Sequence, residues 1–549
     1  MLSDGYVQAN TADYASFYAS YRLSPTEDFN FGYDVVDAIA ARTPDALALL
    51  HISNEGEERR FTFFDIMEQS ARAANFFCRL GIKKGDKVLL IMKRSYQYWF
   101  VNVALCKIGA VMIPATGQLL SHDISYRCNA SSATTVICAN DPYIIQAVEG
   151  ALPSCPTVRT CVLTGGSKEN WLDFDAETAK ESPAFPRPTG EAATCAADPM
   201  LIYFTSGTTG FPKMARHSFL YPLGHIATAR YWHTNRPGGI HFTISDTGWA
   251  KAGWGKIYGQ WLCETAIFAY DFDRFDPPRV LEMIQKHRIT TFCAPPTMYR
   301  MMTQNDLAAN YDLSSLEHCC SAGEALNPEV FSDWKRQTGQ AIYEGFGQSE
   351  TTCCLGTFPG MQIQLGSMGR PVPDYVIDLL DENGKPSAEG EHGEICIRTQ
   401  EAVPLGLFMG YYRDELSTTR SWYDGYYHTG DVAWRDADGY FWYVGRKDDL
   451  IKSSGYRIGP FEVESALLEH EAVLEAAVTG VPDPLRGQIV KATIVLKPGY
   501  EGTDTLKKDI QEHVKRMTAP YKYPRLIDFV DSLPKTASGK IRRVELRKG

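Results

Sequence analysis

The residues with the clearest chemical purpose form the run Tyr203-Phe-Thr-Ser-Gly-Thr-Thr-Gly-Phe-Pro-Lys213. An apolar stretch of strand type, residues 200–204, feeds into it. Small residues leave backbone N–H groups free to turn inward around an anion, and glycine lets the chain approach a phosphate closely. The hydroxyls of Thr205, Ser206, Thr208 and Thr209 add donors, with Gly207 and Gly210 between and after them. Phe211 and Pro212 then lead to the point charge of Lys213. The run is not a Walker A loop, because Lys213 lies three residues after Gly210 and Met214 follows it. A Gly/Thr turn between core strands is the plainer alternative. The density of donors beside a lysine favours a phosphate site.

Four further stretches carry candidate chemistry. In Tyr343-Glu-Gly-Phe-Gly-Gln-Ser-Glu350, glutamates flank a small-residue turn, which suits Glu350 as a metal ligand and Ser349 as a phosphate-directed hydroxyl. An acidic loop is by itself ordinarily just solvated. Tyr427-His-Thr-Gly-Asp431 ends where a strand begins, and a carboxylate there can accept both hydroxyls of a ribose; a turn-stabilising aspartate is the alternative. Gly445-Arg-Lys-Asp-Asp-Leu-Ile-Lys-Ser-Ser-Gly-Tyr-Arg-Ile-Gly-Pro460 falls at a change of texture. Pro534-Lys-Thr-Ala-Ser-Gly-Lys-Ile-Arg-Arg543 is a basic turn that displays Lys540.

These residues must be held by an α/β framework. Apolar positions Phe64, Met67, Ala71, Ala74 and Phe77 recur at helical spacing and predict a helix over 61–80. Strands at 87–92, 111–114 and 134–138 alternate with helices at 96–108 and beyond, the pattern of layered parallel sheets. Residues 183–188 are a proline-rich connection, and Ser218 is placed as the N-cap of the helix after it. From 366 to 445 short strands and tight turns take over, with Asp436-Ala-Asp-Gly439 joining two of them as a hairpin. The last hundred residues read as a small α+β unit with a helix starting at Pro460, strands at 473–481 and 489–496, and a helix over 504–517. The expectation is an α/β protein. A large N-terminal domain, 1–446, has layered, mostly parallel sheets and a small β-rich subdomain; a small, mobile α+β C-terminal domain covers 447–549.

At 549 residues the chain is too long for one core. A net charge of −11 argues against nucleic acid as a partner, so an anionic ligand must be held by local groups. The 14 cysteines show no C-x-x-C spacing, which gives neither a zinc pattern nor a disulfide framework. The N-terminus lacks a basic and an apolar region, and no apolar run is long enough for a transmembrane segment. Reduced thiols and a cytoplasmic location are the expectation.

In their order along the chain, these motifs resemble the adenylate-forming superfamily of acyl-CoA synthetases, non-ribosomal adenylation domains and luciferases. The resemblance covers about residues 35 to 545. Thr243-Ile-Ser-Asp-Thr-Gly-Trp249, Ser453-Ser-Gly-Tyr-Arg-Ile-Gly-Pro-Phe-Glu-Val-Glu464 and Thr518-Ala-Pro-Tyr-Lys-Tyr-Pro-Arg525 are most similar to its medium-chain acyl-CoA synthetase branch. It implies an enzyme that joins a carboxylic acid to AMP at the expense of MgATP, releasing pyrophosphate, and then passes the acyl group to coenzyme A. By this resemblance the 205–213 loop holds the β- and γ-phosphates and Glu350 binds Mg²⁺. Ser349 and Lys540 reach the α-phosphate, with Lys540, Glu350 and Ser349 the catalytic set. Glu344, Gly345, Phe346, Gly347 and Gln348, with Gly323 and Glu324, frame adenine, and Asp431 and Arg446 hold the ribose. Rotation about a hinge at Asp448 exchanges Lys540 for the Ser454-Gly-Tyr-Arg457 loop. Ser454, Gly455, Tyr456, Arg457, Arg486 and Lys515 are then the coenzyme A contacts; for Arg486 and Lys515 ordinary surface charge is the alternative.

Acetyl-specific members of the superfamily close the pocket floor with tryptophan where this chain has Gly347, so the resemblance implies acids larger than acetate: short-branched, medium-chain or aromatic. Trp249, Ala250, Lys251, Ala322 and Gly347 are expected to line the pocket. Lys251 is unusual in an apolar tunnel; it shortens the tunnel, meets a polar tail, or snorkels outward, the plainest option. A stand-alone adenylating enzyme with another acceptor and a non-catalytic adenylate sensor are the rival readings; the presence of Glu350, Asp431, Arg446 and Lys540 weighs against the sensor. A homodimer and an acetyltransferase or deacetylase acting on Lys540 are further possible partners, since acetylation would remove the lysine charge.

Overall fold

The computed structural model describes residues 1–205, 212–454, 456–535 and 541–547, residue 457 by its backbone alone. Ser206, Gly207, Thr208, Thr209, Gly210, Phe211, Gly455 and Lys540 lie outside the described residues, as does the side chain of Arg457.

Two sheets organise the large domain. The first runs, in spatial order, Met214–Ser218, Pro199–Phe204, Val111–Pro114, Lys87–Ile91, Thr135–Ala139, Thr160–Thr164 and Leu172–Asp173. Its strands are parallel except for the antiparallel pair Pro199–Phe204 and Met214–Ser218, so the 205–213 stretch connects the two strands of a hairpin. The second sheet has a parallel centre, Ile342–Phe346, His318–Ala322, Thr291–Cys293, Ile240–Thr243, Ala266–Tyr270 and Leu47–Ile52 in spatial order. These strands are almost wholly buried, as parallel strands covered on both faces must be. Their carboxyl ends point the segments after Thr243, Ala322 and Phe346 to one side, where ligand sites of open α/β sheets form.

The β-rich region continues this second sheet. Leu355–Gly356 and Ser367–Pro371 add antiparallel strands beyond Ile342–Phe346, and Phe441–Arg446, Tyr426–Arg435, Gly393–Arg398 and Ile377–Leu380 follow. The 436–439 hairpin is present as expected, joining Tyr426–Arg435 to Phe441–Arg446.

Local chemistry explains most element ends. The helix Phe63–Arg79 starts at a capping box, Thr62 accepting from Asp65 N while the Asp65 carboxylate accepts from Thr62 N. Its expected start at 61 is corrected, because Glu58–Thr62 is a strand paired with Leu47–Ile52. The expected N-cap at Ser218 is also corrected. Ser218 ends a strand and its hydroxyl accepts from Leu220 N, whereas the helix begins at Tyr221 with Pro222 in its first turn. A local side-chain turn competed with the cap and won.

The C-terminal unit pairs Val473–Asp483 with Gly487–Leu496, adds Leu526–Phe529 in parallel, and covers the sheet with Pro460–Leu468 and Asp504–Met517 around its own apolar core. Arg300 donates to Leu474 O at 3.5 Å, so the start of Val473–Asp483 meets the large-domain helix Pro296–Thr303. Among the described residues no helix is long and apolar enough to cross a membrane.

Candidate active site

Strand register brings the first pair together. Across the 436–439 hairpin, Asp431 stands opposite Arg446. Arg446 donates to Thr429 O at 3.0 Å and lies 3.4 Å from an Asp431 carboxylate oxygen. Asp431 also accepts from the Tyr443 hydroxyl at 3.1 Å and from the Gln348 amide. Gln348 donates to Thr429 O and accepts from the Tyr427 hydroxyl, each at 2.8 Å. Burial works against the Arg446 charge, but Asp431 and Asp448 outweigh it and hold the guanidinium above its ordinary range. The side chain of Gln348, expected in the adenine frame, braces Asp431.

The second group gathers at the start of the loop after Ile342–Phe346. Glu350 is buried, its Oε1 accepts the Tyr411 hydroxyl at 2.8 Å, and burial pushes its carboxyl up. The Lys213 ammonium lies over the Tyr411 ring, 4.8 Å from its centre. Thr205 N donates to Lys213 O at 2.9 Å, which ties together the two ends of the donor-rich stretch. Pro212 O accepts the Tyr126 hydroxyl at 3.0 Å. Ser349 contributes its carbonyl to His217 Nε2 at 2.8 Å, linking the turn to the strand after Lys213.

Around the expected adenine frame the side chains differ in direction. Gly323 has φ of 103°, and a Cβ there would meet nothing within 4 Å, so the chain turns here beside open space. Glu324 accepts from Thr297 Oγ1 at 2.9 Å. Glu344 is buried, accepts from Leu326 N at 3.1 Å, and burial pushes its carboxyl up to about 8. Phe346 keeps its ring 6.3 Å from that of Tyr443.

The expected acyl side is built by shape. A Cβ on Gly347 would stand 2.4 Å from Thr352 O and 2.5 Å from the Trp254 ring, and one on Gly345 would stand 2.6 Å from the Trp232 ring. The expectation that Gly347 leaves free volume is therefore corrected: the indole of Trp254 occupies it. Lys251 donates from Nζ to Ala322 O at 2.8 Å, so its ammonium turns inward to the end of His318–Ala322 rather than snorkelling outward. Trp249 precedes the short helix Ala250–Gly255, which carries Lys251 and Trp254 three residues apart, on one face.

The expected hinge residue is pinned on both sides. Asp448 lies 3.6 Å from Arg446, its carbonyl accepts from Arg547 at 3.2 Å, and Arg547 also pairs with Asp449. Glu394, Cys396 and His428 form a group compact enough for a metal ion among the described residues. Glu394 is already engaged, however, by Lys447 at 2.9 Å, Gly430 N at 3.0 Å and His428 at 3.3 Å. Burial alone would raise its carboxyl; His428 and Lys447 bring it down to about 2. This is an ion-pair hub that joins the 427–431 turn to the residue before Asp448.

The expected coenzyme A residues collect on the small domain. Ser454 N donates to Arg486 O at 2.9 Å, and Arg486 donates to the Ser454 hydroxyl at 3.3 Å. Tyr456, half exposed, stacks on Tyr521 with ring centres 4.1 Å apart. Lys515 is paired with Glu512 at 2.5 Å and lies over the Tyr523 ring. The loop faces the β-rich turn at 381–384, where Lys452 comes within 3.7 Å of Glu382. Sequence reasoning missed Tyr411, Glu394 and Trp254, and it named Tyr427 without its partner Gln348. Trp254 follows the named Trp249, Ala250 and Lys251 closely in sequence, and helical spacing from Lys251 was the signal; the others lie far from their partners in sequence.

This arrangement has counterparts. The AMP-binding enzyme family matches residues 36–412, and the AMP-binding enzyme C-terminal domain matches residues 462–540. The chain belongs to the AMP-binding enzyme family. Within it, the chain falls in the medium-chain acyl-CoA synthetase branch: it is 41% identical to acyl-coenzyme A synthetase ACSM3, mitochondrial, of Homo sapiens, over 98% of this chain and 92% of that protein. The matching protein ACSM5, mitochondrial, of the same organism is 42% identical over 95% and 90%. Among solved structures, the anthranilate CoA ligase AuaEII in complex with anthranoyl-AMP superposes with a TM-score of 0.87 at 28% identity, covering 96% of this chain and 98% of that one. A benzoate CoA ligase from Burkholderia xenovorans LB400 gives 0.83 at 28% identity, covering 94% and 100%.

Proposed function

We propose that this acyl-CoA synthetase, which uses ATP and coenzyme A, activates a compact acid larger than acetate, short or branched, and that Trp254 sets the depth of its acyl pocket. The observation that carries this is the Trp254 indole lying where a Gly347 side chain would stand. In this reading the indole is the group that a medium-chain or aromatic acid would meet first.

In the first half-reaction the acid carboxylate attacks the α-phosphorus of ATP and pyrophosphate leaves; in the second, the coenzyme A thiolate attacks the acyl carbonyl and AMP leaves. Two anions must meet in the first half, so acceleration rests on fixed positive charge and donors. In this reading Thr205, residues 206–211, Pro212 and Lys213 hold the pyrophosphate side, and Lys540 serves the α-phosphate and the acid carboxylate. Asp431, braced by Gln348, Tyr443 and Arg446, accepts the ribose hydroxyls. Gly323 leaves room for adenine. Glu350 fits a magnesium ion, because a buried carboxylate steadied by a hydroxyl beside a donor-rich stretch offers the hard oxygen such a cation takes. Bound there, magnesium would neutralise phosphate charge.

The two domains, 1–446 and 447–549, then exchange partners about Asp448. The contact of Arg300 with Leu474 supports an adenylating arrangement, since Leu474 and Ile541, the residue just after Lys540, pack against the same cluster of Ala477, Val495 and Leu533. Rotation would bring Ser454, Gly455, Tyr456, Arg457, Arg486 and Lys515 to the cleft for the thioester step. Acetylation of Lys540 would switch off adenylation alone, and a homodimer is compatible with this scheme. Free thiols at all described cysteines fit a reducing compartment. We assign the cytoplasm, although the curated relatives are named mitochondrial; recovery in a mitochondrial fraction would overturn that.

The test is AMP formation with coenzyme A across acids from acetate to octanoate, plus 2-methylbutyrate and benzoate. Short or branched acids should lead. A maximum at octanoate would overturn the pocket assignment, and no turnover with any acid would favour a nucleotide sensor.

A further inference from the structure

We infer that Tyr411 is a positioning residue for nucleotide binding: its hydroxyl fixes the Glu350 carboxylate while its ring seats the Lys213 ammonium. The inference rests on the reading of Glu350 as the cation-holding carboxylate. Tyr411 is buried, donates to Glu350 Oε1 at 2.8 Å, and presents its ring face 4.8 Å from Lys213 Nζ. A hydrogen bond to an ionised oxygen is stronger than one between neutral groups, and a lysine over a tyrosine face gains from the ring quadrupole. One side chain thus spaces a cation and an anion that come from different sheets.

The backbone around Tyr411 is built to keep it there. Phe408 N donates to Glu350 O at 2.8 Å, and Met409 N donates to Arg216 O at 2.7 Å. Tyr411 bridges to Ala215, Tyr412 N donates to Met214 O at 2.8 Å, and Tyr411 N donates to Thr418 Oγ1 at 2.9 Å. Segment 408–412 is therefore stitched to the strand that follows Lys213 and to Glu350 itself. Without the hydroxyl, Glu350 keeps its burial and loses its orientation. Without the ring, Lys213 is free to fold onto Glu350 and compete with an incoming cation.

The experiment measures ATP binding by calorimetry, with Mg²⁺ and separately with EDTA, on the full chain and on Tyr411→Phe. We expect Tyr411→Phe to bind ATP in EDTA as the parent does and to lose roughly tenfold in affinity only when Mg²⁺ is present, the scale of a hydrogen bond to a charged group. Equal weakening with and without Mg²⁺, or no weakening, would overturn the inference. Should Tyr411→Phe fail to fold, Thr418→Val, which removes the acceptor of Tyr411 N together with a hydrogen bond to Asp414 O, is read the same way with a smaller selective loss expected and no loss counting against it. Glu350→Gln separates the two readings. If it leaves the Mg²⁺ effect intact, the Glu350 assignment fails; if it abolishes the effect and Tyr411→Phe does not, only the role of Tyr411 fails.

Discussion

The proposed nucleotide and acyl halves of the cleft are held by different physics. On the nucleotide side Asp431, Gln348, Arg446, Tyr427 and Tyr443 form a closed set of hydrogen bonds. On the acyl side Gly345 and Gly347 are defined by the rings of Trp232 and Trp254 that crowd them, with one polar anchor between Lys251 and Ala322. Hydrogen bonds fix groups by direction, and removing one partner strands the others in a buried place. Packing fixes groups by volume, and a change on one side can be answered on the other. The nucleotide half should therefore fail on substitution, and the acyl half should change its preference.

The largest effect is expected from Asp431→Ala. It removes the carboxylate acceptor of the half-buried Arg446 and of the Gln348 amide, which keep Thr429 O, a loss of about 1.5–3 kcal/mol for each hydrogen bond to the lost charge. Adenylation measured by pyrophosphate release should fall by over a hundredfold, with a lowered thermal midpoint. A loss under tenfold would break the contrast drawn above. Next comes Trp254→Ala, which frees room for about two or three methylenes at about 0.8 kcal/mol each. The ratio of kcat/KM for hexanoate over propionate should rise by tenfold or more while KM for ATP stays within twofold; an unchanged ratio would sink the pocket assignment. Adding a methyl at Gly347 tests the same seam from the other side, because its Cβ would overlap both Thr352 O and the indole. Gly347→Ala should cost about 1–3 kcal/mol in stability.

A smaller effect is expected at Glu344. Burial raises its carboxyl from 4.5 to about 8, so the folded chain keeps a proton that the unfolded chain loses. Its contribution to stability is complete below pH 4.5 and falls as pH rises toward 8. Glu344→Gln should melt like the parent at pH 5 and some degrees higher at pH 8; parallel melting curves across that window would contradict the assignment. The smallest change is Lys251→Met, which removes one hydrogen bond to Ala322 and should shift acid preference only a few-fold. A shift as large as that of Trp254→Ala would move the specificity assignment from the indole to the lysine.

Much of the nucleotide side was legible because its residues come in short runs with their own local reasons. Thr205 and Lys213 close a hairpin, and Asp431 and Arg446 flank a turn whose Asp-Gly pair marks it in the sequence. Strand–helix alternation likewise predicted the parallel sheets, and the helix Asp504–Met517 fell where its periodicity placed it. What stayed hidden were partners brought from far along the chain. Tyr411 meets Glu350 across 61 positions and Lys447 meets Glu394 across 53, and no periodicity records such distances.

Composition and motif spacing by themselves determined an acidic α/β protein with a candidate phosphate loop, because charge count and short-range turn chemistry are read directly from the sequence. Only the tertiary structure decided that Gln348 braces Asp431, that Tyr411 stands between Lys213 and Glu350, and that Trp254 fills the room beside Gly347. Each of those depends on the order in which strands lie in a sheet, and strand order is set by burial across the whole domain.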